Sequence, residues 1–88
     1  MTEADYYALL GKKMAEIRKD KGIAQDKLAL KCEIARSFVG DVERGKRNLS
    51  LNSMCKIAVG LGVSPSDLLE LVDKEIALTY SITESTNQ

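Results

Sequence analysis

The chain has 88 residues, which suffice for one domain of ordinary size and not for two. Apolar residues make up 44% and charged residues 30%, which is a globular composition. The 13 basic and 13 acidic side chains cancel, so bulk charge does not attract the chain to nucleic acid or membranes. The sequence has no histidine, which excludes most zinc sites and histidine-dependent nucleophiles; we expect no enzyme, metal or cofactor.

The first predicted helix begins near the start of the chain. Thr2 and Asp5 have the three-residue spacing of a capping box. Apolar side chains then recur every three or four residues on one helical face: Tyr6, Leu10, Met14 and Ile17. Gly22 follows a lysine-rich last turn and predicts the end of this helix.

Three further helices follow with short connections. Two short helical stretches are predicted at 25–31 and 36–44, and Ser50 opens a longer one that Gly62 closes. The side chains of that fourth helix that we predict to face the core are Leu51, Met54, Ile57, Ala58 and Leu61.

The last predicted helix has the strongest start signal, because Ser64 is an N-cap residue and Pro65 suits the first helical position. Residues 78–83 alternate between apolar and polar, as strands do, although helical spacing persists to Tyr80. We predict helix to about Leu78, then an irregular extension. We expect residues 1–83 to form one all-α domain of five helices and residues 84–88 to form a flexible tail.

The fifth helix carries two apolar stripes, either of which can face the core: one consists of Leu69, Val72, Ile76 and Tyr80, the other of Leu68, Leu71 and Leu78. Because packing on the domain needs only one stripe, the other needs a partner. A second copy of the chain is the simplest partner, and two-fold pairing is the commonest arrangement. We expect a dimer interface formed by Leu68, Leu71, Val72, Ile76, Leu78 and Tyr80.

The sequence also indicates a cytoplasmic protein. Cys32 and Cys55 lie far apart in apolar helical patterns, which favours reduced thiols over a disulfide. No segment approaches the ~18–20 continuous apolar residues of a membrane span, and the start is acidic where a secretory signal is basic.

The two short helices carry the functional signal. Such helices need neighbours on both sides, which leaves one face of the second exposed. Val39 and Val42 lie on its buried side, whereas Arg36, Ser37, Gly40 and Asp41 fall on the other. Arginine can bind guanine in a forked manner and serine bonds to either kind of partner, so this helix start suits the DNA major groove. The basic turn Gly45–Asn48 follows directly and suits phosphate or groove contact.

Three separated blocks, 10–29, 42–51 and 57–69, resemble the Cro/repressor-type (Xre) helix-turn-helix family, which has the lambda-repressor-like fold. Within it, the controller proteins of restriction–modification systems are similar in length and in the turn Glu43-Arg44…Arg47-Asn48. The resemblance implies that Gln25 bonds a DNA phosphate and braces the recognition helix, 36–44. It also implies an internal ion pair between Arg18 and Glu43.

The resemblance further implies the DNA-contacting residues of the recognition helix and the basic turn. Together with Phe38 and Asp41, which each have two interpretations, the candidate DNA-contacting residues are Gln25, Arg36, Ser37, Phe38, Asp41, Lys46, Arg47 and Asn48. Phe38 either contacts a thymine methyl or sugar or folds back on the scaffold, which we favour. Asp41 either accepts a hydrogen bond from a cytosine amino group, or repels phosphates and so helps to reject wrong sites.

Three residues depart from the family pattern. Ala24 and Ala35 stand where members usually have the capping residues Ser or Thr, and each loss costs about 1 kcal/mol. Glu33 occupies a turn position usually filled by glycine, although glutamate disfavours a left-handed backbone.

The neutral total charge conceals a basic segment. Residues 12–47 hold 11 basic and 6 acidic side chains, whereas residues 48–88 hold 2 and 5. The positive segment coincides with the predicted DNA-binding face, as nucleic-acid binding requires.

We therefore expect a sequence-specific transcriptional regulator. It would bind double-stranded operator DNA with inverted half-sites as a homodimer, with recognition helices roughly 34–36 Å apart, and block or recruit RNA polymerase. A restriction–modification controller is favoured; the alternatives are a phage-type repressor, a host regulator, or an antitoxin-like regulator that also binds a protein. No membrane or small-molecule partner is expected.

Overall fold

The computed structural model describes residues 2–87 and the side chains of residues 2–78. In this part of the chain the regular structure is entirely helical, which confirms the predicted all-α fold. The five helices are α1 (Glu3–Asp20), α2 (Gln25–Cys32), α3 (Arg36–Glu43), α4 (Leu51–Gly60) and α5 (Pro65–Asn87). Helices α1 and α2 both pack against α3, while α4 packs on α2 and α5 lies across α1 and α4.

Local hydrogen bonds start three of the helices where the sequence predicts. At α1 the Asp5 backbone N–H donates to Thr2 Oγ1 at 3.2 Å, and the Thr2 N–H donates to the Asp5 carboxylate at 2.8 Å, which completes the capping box. The hydroxyl of Ser50 accepts from the N–H of Ser53, and that of Ser64 from the N–H of Asp67, both at 3.1 Å. These side chains satisfy amides that have no partner within the helix.

The core lies between α1, α2, α3 and α4, with α5 closing one side. Its fully buried side chains include Met14, Leu28, Val39, Ile57, Leu61 and Leu68. Leu51, predicted to face the core, is instead 71% exposed, and Tyr6 is also exposed. Both lie in the first turns of their helices, where side chains lean toward the N-terminus and away from the packed middle. Cys32 is buried, Cys55 is half-buried, and both thiols are reduced.

Helix α5 differs from its prediction in two respects. It continues without interruption to Asn87, so the irregular extension after Leu78 is wrong, because the helical spacing outweighs the short alternation. Residues 84–87 belong to the same helix; the tail's flexibility stays a prediction, and Gln88 lies outside the described residues. No helix in the described part of the chain is long and apolar enough to cross a membrane.

The expected dimer surface on α5 is partly wrong. Leu68 and Val72 are buried in the chain's own domain. Their i, i+4 spacing places them on one face of α5, and this face packs on α1 and α4. Both therefore leave the interface set. Leu71 and Leu78 are exposed, Ile76 is half-buried, and the side chain of Tyr80 lies outside the described residues.

The start of α2 and that of α3 lack side-chain caps, as Ala24 and Ala35 predict. Between these helices Glu33 adopts the left-handed conformation, with φ 56° and ψ 44°. A β-carbon in this region meets the following carbonyl oxygen, at a cost of about 1–2 kcal/mol.

Glu33→Gly is therefore expected to raise the free energy of unfolding by about 0.5–1 kcal/mol, since glycine avoids the strain but also makes the unfolded chain more flexible. Urea unfolding followed by circular dichroism measures the change. Glu33→Ala is the matched control, because it removes the charge and keeps the β-carbon. Equal gains in both variants would assign the effect to charge and contradict the strain.

Candidate nucleic-acid interface

Helix α3 lies unusually close to α1. The two backbones meet at Gly11, where an added β-carbon would overlap the carbonyl oxygen of Val42 and lie 3.1 Å from that of Glu43. Only glycine permits this approach. The contact fixes the C-terminal half of α3 against α1.

A buried polar network holds the same end of α3. Arg18 on α1 donates through Nε and Nη2 to the Glu43 carboxylate at 2.6 and 3.0 Å, and through Nη1 to the Ile23 carbonyl at 2.8 Å. The Gln25 amide donates to Glu43 at 2.9 Å. The predicted ion pair is therefore present, and its two side chains are only 10% and 9% exposed.

The network shifts the titration of both charged groups. Burial raises the pKa of Glu43, but the hydrogen bonds from Arg18 and Gln25 and the charge of Arg18 outweigh it and leave the pKa below its ordinary value. The hydrogen bond with Glu43 raises the pKa of Arg18. Both side chains are thus charged together at neutral pH, as a bidentate pair requires.

The N-terminal half of α3 is open to solvent. Arg36 and Ser37 are exposed and line a shallow depression of about 330 Å³, together with Gln25, Gly40 and Arg44. Gly40 faces outward as predicted, but the guanidinium of Arg44 covers it and leaves it buried. Arg44 is not among the predicted contact residues, although the four-residue steps from Arg36 through Gly40 to Arg44 place all three on one side of the helix.

The basic turn lies beside this surface. Gly45 has φ 72° and packs directly on the backbone of Ala8, which leaves no room for a side chain. The three residues that follow, Lys46, Arg47 and Asn48, are exposed. Arg47 places its guanidinium carbon 5.1 Å from the ring centre of Phe38, within cation–π range.

Phe38 is half-buried and packs against the core, which agrees with the favoured interpretation that its side chain folds back on the scaffold. Asp41 lies beside Arg44, 2.6 Å from its Nη2, and 3.6 Å from the Nε of Arg47. Neither pairing was foreseen, since both depend on which side-chain rotamers the arginines adopt.

The candidate residues therefore form one continuous surface, which we call the α3 surface: Gln25, Arg36, Ser37, Phe38, Asp41, Arg44, Lys46, Arg47 and Asn48. It offers forked arginine donors that suit guanine or phosphate, hydroxyl and amide groups that suit base edges, and an excess of positive charge.

The chain matches the model of the helix-turn-helix family over residues 14–68, more than half of its length. The control protein C.BamHI of Bacillus amyloliquefaciens is 46% identical over 63 residues, which are 70% of this chain and 78% of that protein. The restriction–modification controller protein C.AhdI from Aeromonas hydrophila superposes with a TM-score of 0.68 at 40% identity, over 70% of this chain and 94% of that one.

A third similar protein is the controller protein C.Esp1396I, solved as a tetramer in complex with its natural 35 base-pair operator. It superposes with a TM-score of 0.77 at 33% identity and covers 82% of this chain and 95% of its own. The chain therefore belongs to the helix-turn-helix family, together with the controller proteins of restriction–modification systems.

Proposed function

We propose that the protein is a transcriptional regulator of the controller type, which binds operator DNA in the cytoplasm as a homodimer and catalyses no reaction. The observation that carries the proposal is the α3 surface: Arg36 and Ser37 stand exposed at the start of α3, next to the basic turn, while the other end of the helix is fixed to α1. Similarity to controller proteins, one of them solved on its operator, supports the same function.

The proposed dimer brings two α3 surfaces to one duplex. A single copy has few cations with which to neutralise phosphates, so pairing raises affinity by doubling the contacts. The interface residues that we retain are Leu71 and Leu78, which are exposed, and Ile76, which is half-buried. Tyr80 stays a prediction outside the described side chains. Two-fold pairing predicts inverted half-sites with centres about 10–11 base pairs apart. DNase footprinting of the DNA upstream of the protein's own gene tests this spacing, and a protected region without inverted repeats would contradict it.

Arg36→Ala is expected to weaken binding to this upstream DNA by about 1–3 kcal/mol and to relax specificity at one base position. Fluorescence anisotropy on the upstream duplex and on a scrambled duplex measures both effects. Gln25→Ala is expected to weaken binding to the two duplexes equally, since phosphate contacts carry no sequence information.

Lys74→Ala is the matched control, because it removes one positive charge on α5, away from the α3 surface. Equal losses on both duplexes for Arg36→Ala would reduce Arg36 to a backbone contact. A wild-type protein that binds both duplexes equally would overturn the proposed function itself. Genes for a nuclease and a methylase beside this gene would favour the controller role, and a toxin gene the antitoxin alternative.

A further inference from the structure

Asp41 lies between two arginines on the outward side of α3. Its Oδ1 accepts from Nη2 of Arg44 at 2.6 Å, and its Oδ2 lies 3.6 Å from Nε of Arg47. Each carboxylate oxygen therefore faces a different guanidinium. One acidic side chain thus restrains two of the basic groups on the α3 surface.

A second contact fixes each arginine on its other side. The guanidinium of Arg44 lies over Gly40, where an added β-carbon would stand 3.1 Å from its Nη1. The guanidinium of Arg47 lies over the ring of Phe38. Both arginines remain more than half exposed, at 57% and 52%, and so are accessible to a duplex.

We propose that Asp41 is a positioning residue, which holds Arg44 and Arg47 in one arrangement on the α3 surface and lowers the affinity of the protein for DNA of the wrong sequence. The inference rests on the DNA-binding function proposed above. It differs from the expectation that Asp41 contacts cytosine. It extends the other expectation, because wrong sites are rejected through the two arginines that the carboxylate holds and not by repulsion alone.

The physical basis is competition for the guanidinium groups. A long basic side chain loses much rotamer freedom when it binds DNA, and the pairing with Asp41 removes part of that freedom before binding. A phosphate that approaches Arg44 or Arg47 must displace the carboxylate or remain close to its negative charge. On the correct site the two arginines contact the duplex from their paired positions, so the carboxylate is not displaced. On a duplex of unrelated sequence they must leave Asp41 to reach phosphates, so the cost falls on wrong sites and discrimination increases.

The test compares wild type with Asp41→Asn on the upstream duplex and on the scrambled duplex over a series of salt concentrations. The variant is expected to bind the scrambled duplex about fivefold more tightly at low salt, the gain from releasing two exposed ion pairs. The slope of the logarithm of the association constant against the logarithm of the salt concentration becomes more negative by about 0.9 for each added phosphate contact. The ratio of the two affinities falls, and Asp41→Glu, which restores a carboxylate, recovers part of it.

Asp20→Asn is the matched control, because it removes the same charge from an exposed position on α1. An Asp41→Asn variant that behaves as this control on both duplexes, with the wild-type salt slope, would reduce Asp41 to bulk charge and overturn the proposal. A selective loss on the upstream duplex, with the scrambled one unchanged, would overturn it in favour of a base reader. If the proposed function itself is wrong, the wild-type protein binds both duplexes equally.

Discussion

Arg18→Ala is expected to lower the free energy of unfolding by about 3–5 kcal/mol, the typical cost of leaving one member of a buried ion pair alone. The remaining Glu43 carboxylate is 9% exposed and would keep only the Gln25 amide as a partner in the network. Chemical denaturation measures the loss. Because Glu43 ends α3, the variant should also lose affinity for DNA under conditions in which it remains folded.

The double variant Arg18→Met/Glu43→Leu is the control for this prediction. Apolar side chains of similar volume replace a buried pair at little or no cost, so we expect its stability to lie within about 1 kcal/mol of the wild type. A double variant as unstable as Arg18→Ala would assign the loss to packing and contradict the role of the unpaired charge.

The pH dependence of stability provides a second check. The pKa of Glu43 is below its ordinary value in the folded state, so its stabilising contribution is complete above the unfolded-state pKa of about 4.3 and is lost as the pH falls through the folded-state pKa. The double variant should lack this part of the acid destabilisation.

Gly11→Ala is expected to cost about 3 kcal/mol or more, at the upper end of the range for overpacking. The new methyl group would overlap the Val42 carbonyl oxygen, and a backbone group of a packed helix cannot rotate away. Helices α1 and α3 must therefore separate, which moves the α3 surface. We expect a lower unfolding midpoint and weaker binding to the upstream duplex.

Gly40→Ala is the matched control, because it makes the same change in the middle of a helix. Its added methyl group would meet only the far end of the Arg44 side chain, which can move, and alanine favours the helix by about 0.8–1 kcal/mol. We therefore expect unchanged or higher stability. A Gly11→Ala variant as stable as this control would contradict the close approach of α1 and α3.

The structural features that follow from the sequence alone are those whose cause is local. The caps at Thr2, Ser50 and Ser64 depend on neighbours within a few residues, and each is found as predicted. The left-handed turn at Glu33 was indicated only by the glycine that family members have at that position. The Arg18–Glu43 pair is separated by 25 residues. It was foreseen only through the resemblance to a family.

The failures concern features that the packing of helices decides. Both apolar stripes of α5 contained residues that face the domain and residues that face solvent, and only the docking angle of the helix on α1 and α4 separates Leu68 from Leu71. The contact at Gly11 has no local signal, since glycine within a helix normally only weakens it. The pairing of Asp41 with two arginines likewise depends on rotamers that a pattern of residue types does not specify.

The anchoring of α3 at one end has a consequence for how such a regulator evolves. The groups that fix the helix, Gly11, Arg18 and Glu43, face the interior, whereas Arg36 and Ser37 face solvent. Substitutions at well-separated sites act additively, and exposed positions usually change stability by less than about 0.5 kcal/mol. Selection for a new target sequence can therefore act on residues 36 and 37 one substitution at a time, without eroding the stability that the interior residues maintain.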